Sequence, residues 1–327
     1  NGIKECDSLE LNEELTNTYI EWSKSNPINH GEWGTWPFFY PDMPIEKPLV
    51  EQARQQSEVA IITIGRSSGE DRDAKLDKGS YLLTDEEVNV FNLVTEVFDK
   101  VIVLLNVGSL IDMSWVSTYG DKISAILCVW QGGMESGNAV ADLLCGKVNP
   151  SGKLYDCVAR TFEDYPSSKN FGDKDANNYC EDIYVGYRYF ETFAKDKVLY
   201  PFGFGLSYTQ FNIEHIKTEA KRSSFEINAK VTNTGSVAGK EVVQVYVEKP
   251  HGKLGNPARE LVGFAKTQLL EPGASEELKI EVPIYFITSY DDAGLTKHKN
   301  AYVVEQGDYK FYVGKDSRDN TEVYTHN

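Results

Sequence analysis

The stretch Ile61-Ile62-Thr63-Ile64-Gly65-Arg66-Ser67-Ser68-Gly69-Glu70-Asp71-Arg72-Asp73 decides how the rest of the chain is read. An apolar, β-branched run stops abruptly, and a charged, glycine-punctuated loop follows with no regular pattern until Thr84. Residues 59–64 are short and apolar enough for a strand buried on both faces. In open α/β sheets, chemistry gathers at the carboxyl ends of such strands. Glu70, at the tip behind Ser68-Gly69, is therefore the candidate working residue.

Working outward, Leu11, Leu15, Tyr19 and Trp22 recur at three- and four-residue steps and predict an amphipathic helix over 9–22. The following segment, Glu32 to Pro41, is rich in Pro and aromatic residues. It reads either as the wall of a sugar site or as a loop stapled over its own domain. A helix is predicted from Glu46 to Ser57, with Pro48 in its first turn, where the missing N–H does no harm. Thr84-Asp85-Glu86-Glu87 is a capping box opening another helix, whose predicted buried stripe is Val88, Phe91, Val94 and Phe98. Strands are predicted at 101–106 and 123–130, with a short helix near 114–119 between them. A further helix ends at Leu144-Cys145, with Gly146 as its stop. Strands alternating with helices at this spacing predict a mainly parallel sheet with flanking helices.

Beyond Asn149 the pattern changes. Residues up to Asn178 are polar and aperiodic, aromatic residues return at 184–190 and 200–208, and the period then becomes two. Alternating segments at 225–232, 243–247, 278–282 and 309–313, separated by Gly-containing turns, predict an antiparallel β-sandwich with its charged residues facing outward. The fold class is thus an α/β sandwich domain, a mainly parallel sheet with flanking helices, over 1–206, followed by an all-β antiparallel sandwich over 207–327.

The composition excludes several functions. A net charge of −17 in 327 residues disfavours nucleic acid and anionic membrane as partners. No apolar run approaches the roughly 20 residues of a membrane span. Gly132-Gly133 before a helix is compatible with phosphate binding, yet neither Gly-x-Gly-x-x-Gly nor Gly-Lys-Ser/Thr occurs. The five cysteines lack metal-ligand spacing and read as free thiols, with Cys128 as a small buried hydrophobe. With no Asn-x-Ser/Thr acceptor and no recognisable signal peptide, they lean towards a cytoplasmic setting, a secreted one staying open. The chain opens on Asn1-Gly2-Ile3 without Met, as expected of a piece of something longer.

Four stretches together resemble glycoside hydrolase family 3, the β-glucosidase and β-xylosidase group. They are Ser68-Gly69-Glu70 through Lys78-Gly79-Ser80-Tyr81-Leu82-Leu83; Val129-Trp130-Gln131-Gly132-Gly133-Met134-Glu135-Ser136-Gly137; Ala141-Asp142 through Gly152-Lys153-Leu154; and Tyr184-Val185-Gly186-Tyr187-Arg188-Tyr189 with Pro201-Phe202-Gly203-Phe204-Gly205-Leu206-Ser207-Tyr208. The later strands resemble that family's fibronectin-III-like domain through Gly239 to Tyr246 and Arg259 to Phe264. Two departures stand out: Glu70 runs directly into Asp71-Arg72-Asp73, and the family's Gly-Lys-Leu-Pro is Gly-Lys-Leu-Tyr at 152–155.

The resemblance implies a retaining exo-β-glycosidase in which Glu70 is the general acid/base. The nucleophilic Asp would lie on a barrel domain of the same enzyme that this chain does not contain. A β-linked glucoside or oligosaccharide would be the substrate, and no metal or cofactor is implied. Arg66, Ser68 and Asp73 are the candidate substrate contacts, with Arg66 and Ser68 alternatively shaping the loop. Asp71 and Glu135 are the other carboxylates considered for the catalytic role. Arg66 and Arg72 would lower the pKa of Glu70 if they faced it, so they are expected to face other carboxylates such as Asp71 or Asp73. A β-xylosidase and a non-catalytic carbohydrate-binding or assembly module stay open as alternatives, as does a homo-oligomer.

Overall fold

In the computed structural model, which describes residues 2–69, 73–173 and 175–327, the chain divides into two units, 1–147 and 148–327. The first unit holds α1 (Glu13–Ser25), α2 (Lys47–Gln56), β1 (Ala60–Gly65), α3 (Asp85–Val97), β2 (Val101–Asn106), α4 (Val116–Tyr119), β3 (Ile123–Cys128) and α5 (Ser136–Leu144). Helix α1 starts four residues later than its apolar pattern suggests, because Asn12 Oδ1 accepts from the Leu15 N–H at 3.0 Å and fixes the cap. At its other end α5 stops before Gly146, whose φ of +73° closes the helix.

The strands run parallel in the order β1-β2-β3, with Ile62 opposite Val103 and Ile64 opposite Leu105. One expectation is corrected. Strand β1 is buried on one face only: Ile62 and Ile64 are inside, while Ile61 and Thr63 are exposed. It lies at the sheet edge, and its second face is uncovered in this chain. Only the central β2, with a neighbour on each side, is near-continuously buried, through Val101, Val103, Leu104 and Leu105.

The second unit contains β4 (Val158–Ala159), α6 (Tyr187–Phe193) and β5 (Val198–Tyr200), packed around Cys157, Phe190 and Val198. The sandwich follows with β6 (Phe211–Ala220), β7 (Ser224–Asn233), β8 (Val242–Glu248), β9 (Glu260–Lys266), β10 (Ser275–Pro283), β11 (Ser289–Asp291), β12 (Ala301–Val303), β13 (Tyr309–Gly314) and β14 (Asn320–His326). Its sheets are β10-β7-β6 and β14-β13-β8-β9, antiparallel throughout. Between them lies a core of Phe225, Ile227, Val231, Val243, Val245, Val282 and Phe311. Each such side chain contributes about 1.5–3 kcal/mol on burial. The four alternating segments seen in the sequence all lie within these strands.

The sandwich departs from expectation in its charges, several of which are buried. Glu226 on β7 is covered and paired with Lys221 and with Lys279 at 2.7 Å. Glu241 pairs with Lys153 at 2.8 Å, Glu191 with Arg318 at 2.8 Å, and Lys249 with Glu260 at 3.0 Å. Alternation reports which face of a strand a residue occupies. It does not report whether a neighbouring lysine stem or loop covers that face. Each of these buried charges has an opposite charge beside it, as burial demands.

Residues 148–206, grouped with the α/β part in the sequence, are tied to the sandwich strands. Asn149 accepts from Ser207 Oγ and the Tyr208 N–H and donates to the Ala238 carbonyl. The Leu261 N–H donates to Tyr187 Oη at 2.8 Å, and the Tyr187 ring stacks on Phe202 with centroids 4.4 Å apart. Gly203 sits in this seam at φ +82°, and a Cβ there would lie 2.3 Å from Gln244 Oε1. The buried Gln244 in turn donates to the Gly203 carbonyl at 3.2 Å. Gly203→Ala should therefore lower stability by about 1–3 kcal/mol from backbone strain alone. Thermal melting of the isolated chain checks this, and an unchanged midpoint would contradict it.

Candidate active site

The root of the 67–79 loop is built from one arginine and one glutamate. Arg66 follows β1 directly and is buried, as is Glu87 on α3. Arg66 Nη1 and Nη2 donate to Glu87 Oε1 and Oε2 at 2.6 and 2.7 Å, a bidentate fork. The remaining donors reach the Ser80 carbonyl from Nε (3.1 Å), the Leu82 carbonyl from Nη2 (3.3 Å) and the Gly65 carbonyl from Nη1 (2.7 Å). A guanidinium has five N–H donors. All five are engaged with other residues of the unit.

Glu87 is fixed from its own side. Its Oε2 accepts from the Thr84 N–H at 2.8 Å, and Thr84 Oγ1 accepts from the Glu87 N–H at 3.0 Å, which completes the capping box. The expected stripe of α3 is corrected accordingly: Phe91, Val94 and Phe98 are buried, Val88 is exposed, and Glu87 takes its place, with Thr95 buried beside Val94. The spacing 87, 91, 94, 98 runs in steps of four, three and four. That pattern is legible in the sequence once a paired acid is admitted to an apolar stripe.

On the other side the aromatic segment is stapled over the loop. The Ser67 N–H donates to the Phe38 carbonyl at 2.6 Å, and Ser67 Oγ donates to the Pro37 carbonyl. The Trp36 ring lies against Gly69, where a Cβ would be 2.6 Å from Cζ2. Phe39 covers Gly79, whose φ is +79°, and its ring centroid is 5.9 Å from the Arg66 guanidinium carbon. Ser68 packs over Gly108 beyond β2, with Gln131 close by. Of the two readings of this segment the stapled loop is the one the contacts describe, with Trp33 alone 83% exposed.

Glu70, Asp71 and Arg72 lie outside the described residues. Of the sequence-named substrate contacts, Arg66 and Ser68 meet at the loop root, whereas Asp73 is exposed. Glu135 is also exposed, at the start of α5, and accepts from Asn138 Nδ2 at 2.7 Å. Arg66 faces a carboxylate, as expected, and it is Glu87 on α3; the same expectation for Asp71 and Arg72 falls outside the described residues. Asp42 is the other acid near this pair. Partial burial raises its pKa, Glu87 raises it further, and Arg66 pulls it back. Among the described residues, no group of three His, Cys, Asp or Glu side chains is placed to hold a metal ion.

A parallel strand whose end is bonded into the unit through Arg66 and Ser67, a capped helix after it and an antiparallel sandwich further on are the features that comparison with known proteins identifies. Residues 44–208 match the model for the glycosyl hydrolase family 3 C-terminal domain, and residues 241–317 match that for the fibronectin type III-like domain. The chain belongs to glycosyl hydrolase family 3. This family 3 chain is 48% identical over 317 residues to a beta-glucosidase of Ruminococcus albus, covering 96% of the chain and 33% of that protein. It is 42% identical over 315 residues to beta-glucosidase A of Butyrivibrio fibrisolvens, covering 84% of the chain and 38% of that protein. It therefore spans 33% and 38% of the length of these two relatives. Among solved structures, a beta-glucosidase from Paenibacillus barengoltzii matches with a TM-score of 0.96 and 49% identity, over 99% of this chain and 36% of that one. Beta-glucosidase 3B from Thermotoga neapolitana, solved in complex with glucose, matches at 0.87 and 38% identity, over 99% of this chain and 45% of that one.

Proposed function

We propose that this chain is the acid/base-bearing part of a retaining, exo-acting β-glycosidase that removes terminal β-D-glucosyl residues. The observation that carries the reading is the position of Glu70 in the sequence directly after a segment, 66–69, in which Arg66 and Ser67 are hydrogen-bonded into the unit and Ser68 and Gly69 lie against Gly108 and Trp36. Family membership supports it, and so do relatives named as beta-glucosidases. The nucleophilic carboxylate would come from a barrel domain outside this chain.

In a retaining mechanism the two carboxyl groups stand about 5–5.5 Å apart on opposite sides of the reacting bond. The nucleophile attacks the anomeric carbon while Glu70 donates its proton to the departing glycosidic oxygen. Glu70, now a carboxylate, then takes a proton from water as that water attacks the glycosyl-enzyme intermediate. Loss of water around the occupied site and the neighbouring nucleophile would raise the pKa of Glu70 so that it holds its proton near neutral pH.

The expected result for the full-length enzyme is that hydrolysis of an aryl β-glucoside, followed by proton NMR, releases the β-anomer of glucose first. The α-anomer should grow in later by mutarotation. First release of α-glucose would overturn the retaining assignment, and faster turnover of aryl β-xylosides than of β-glucosides would overturn the substrate assignment.

A further inference from the structure

We propose that the buried Arg66–Glu87 pair is a positioning device that sets the acid/base carboxylate and does not bind the ligand. The inference rests on the reading of Glu70 given above and adds two residues to it.

Three features of the pair lead there. The first is its place in the loop. Arg66 stands at the entrance, and its guanidinium holds the carbonyls of Ser80 and Leu82 at the exit. One side chain is thus a clasp that ties together residues on both sides of the segment that carries Glu70 in the sequence.

The second is how the clasp is anchored. Glu87 fixes the guanidinium plane with two bonds and is itself held by the Thr84 N–H in the first turn of α3. Helix α3 is in turn fixed through Phe91, Val94 and Phe98. A continuous chain of hydrogen bonds and packing therefore joins the core to the loop entrance. Lysine could supply the charge but neither the planar fork nor the five donors.

The third is energetic. A buried ion pair is a poor device for stability, because well-packed apolar residues of similar volume often do as well or better. What it supplies that an apolar pair does not is one defined geometry. A catalytic carboxyl needs that to within about 0.5 Å. Arg66 also has no donor left for a sugar hydroxyl, which separates it from a substrate contact.

The test compares Arg66→Lys, Glu87→Gln and Glu70→Ala in the full-length enzyme, using cellobiose and 2,4-dinitrophenyl β-glucoside. Cellobiose needs its leaving group protonated and the activated aryl glucoside does not. Arg66→Lys should lose about 100-fold in kcat on cellobiose, the scale expected for an ångström of misplacement. On the activated substrate it should lose less than about fivefold at the glycosylation step, measured pre-steady state, with KM little changed; that step bypasses the acid. Glu87→Gln, which keeps the cap acceptor but removes the charge on the fork, should move in the same direction by a smaller factor. Equal losses on both substrates, or wild-type rates on both, would overturn the proposal, since a merely structural pair cannot tell leaving groups apart. If Arg66→Lys does not fold, Glu87→Gln carries the same comparison. If Glu70→Ala itself shows no split between substrates, the acid/base reading has failed. If Glu70→Ala shows the split and neither clasp variant does, only the positioning role has failed.

Discussion

Glu70→Ala in the full-length enzyme should slow cellobiose hydrolysis by about 10²–10⁴-fold, the usual contribution of a positioned general acid. The same variant should cleave 2,4-dinitrophenyl β-glucoside rapidly to the covalent intermediate and then stall. The contrast follows from the two half-reactions. Dinitrophenolate leaves without a proton, so losing the acid costs little in the first step. Water needs a base in the second, and none is left. A burst of dinitrophenolate followed by a slow steady state is the expected trace. Azide, which attacks without giving up a proton, should restore steady turnover and yield β-glucosyl azide. Normal cellobiose hydrolysis by Glu70→Ala, or the absence of any azide product, would remove Glu70 from the acid/base role. Asp73, which is exposed, would then be the nearest described carboxylate in the same loop. The parallel variant Asp73→Ala, at a candidate substrate contact, should show no such split between the two substrates, since a substrate contact does not protonate the leaving group.

Much of the fold was legible because its signals are local. The capping box at Thr84 and the stop at Gly146 depend on residues within one turn and appear where the sequence puts them. Four of the sandwich strands, β7, β8, β10 and β13, follow from two-residue alternation bounded by turns. Burial was less legible, because it depends on what covers a face. Ile61 and Ile62 are the same residue type on the same strand, and only the second is inside. Glu226 reads as a solvent-facing acid and Glu87 only as part of a helix cap, yet each is buried against a cation. For Glu226 one of its two cations, Lys279, lies 53 positions away in sequence, the other being the nearby Lys221; for Glu87 the cation is Arg66, 21 away. The candidate site divides in the same way. The loop and Glu70 stand out as a broken strand pattern. The pieces that hold the loop do not, since Trp36, Gly108 and Glu87 come from three separate elements and only the fold brings them to residues 66–69.

Gly108→Ala tests that convergence with a single methyl group. Gly108 carries no side chain where Ser68 crosses it, and an added Cβ would lie 1.9 Å from Ser68 Oγ and 2.5 Å from Ser68 Cβ. Non-bonded heavy atoms settle near 3.5–4.0 Å, so the loop must move outward by about 1 Å or more. It cannot do so freely, because Ser67 is bonded to residues 37 and 38, and Arg66 is bonded to Glu87. The displacement is therefore expected at residues 68 and 69, next to Glu70. A shift of that size costs roughly 10²-fold in a reaction that depends on alignment. The expected result is a kcat on cellobiose lowered by about that factor, with a melting temperature within a few degrees of wild type because β2 and its core contacts are untouched. The double variant Gly108→Ala/Ser68→Gly removes both clashing Ser68 atoms, leaves only the flexible tip of Gln131 at 2.9 Å to swing aside, and should recover most of the loss. Ser68→Gly alone then separates the two roles open to that serine. If the side chain only packs, the single variant keeps near-normal KM and kcat. If its hydroxyl contacts the leaving sugar, KM for cellobiose rises while that for an aryl glucoside does not. A fully active Gly108→Ala would mean that the loop is not held at the spacing on which its catalytic role depends.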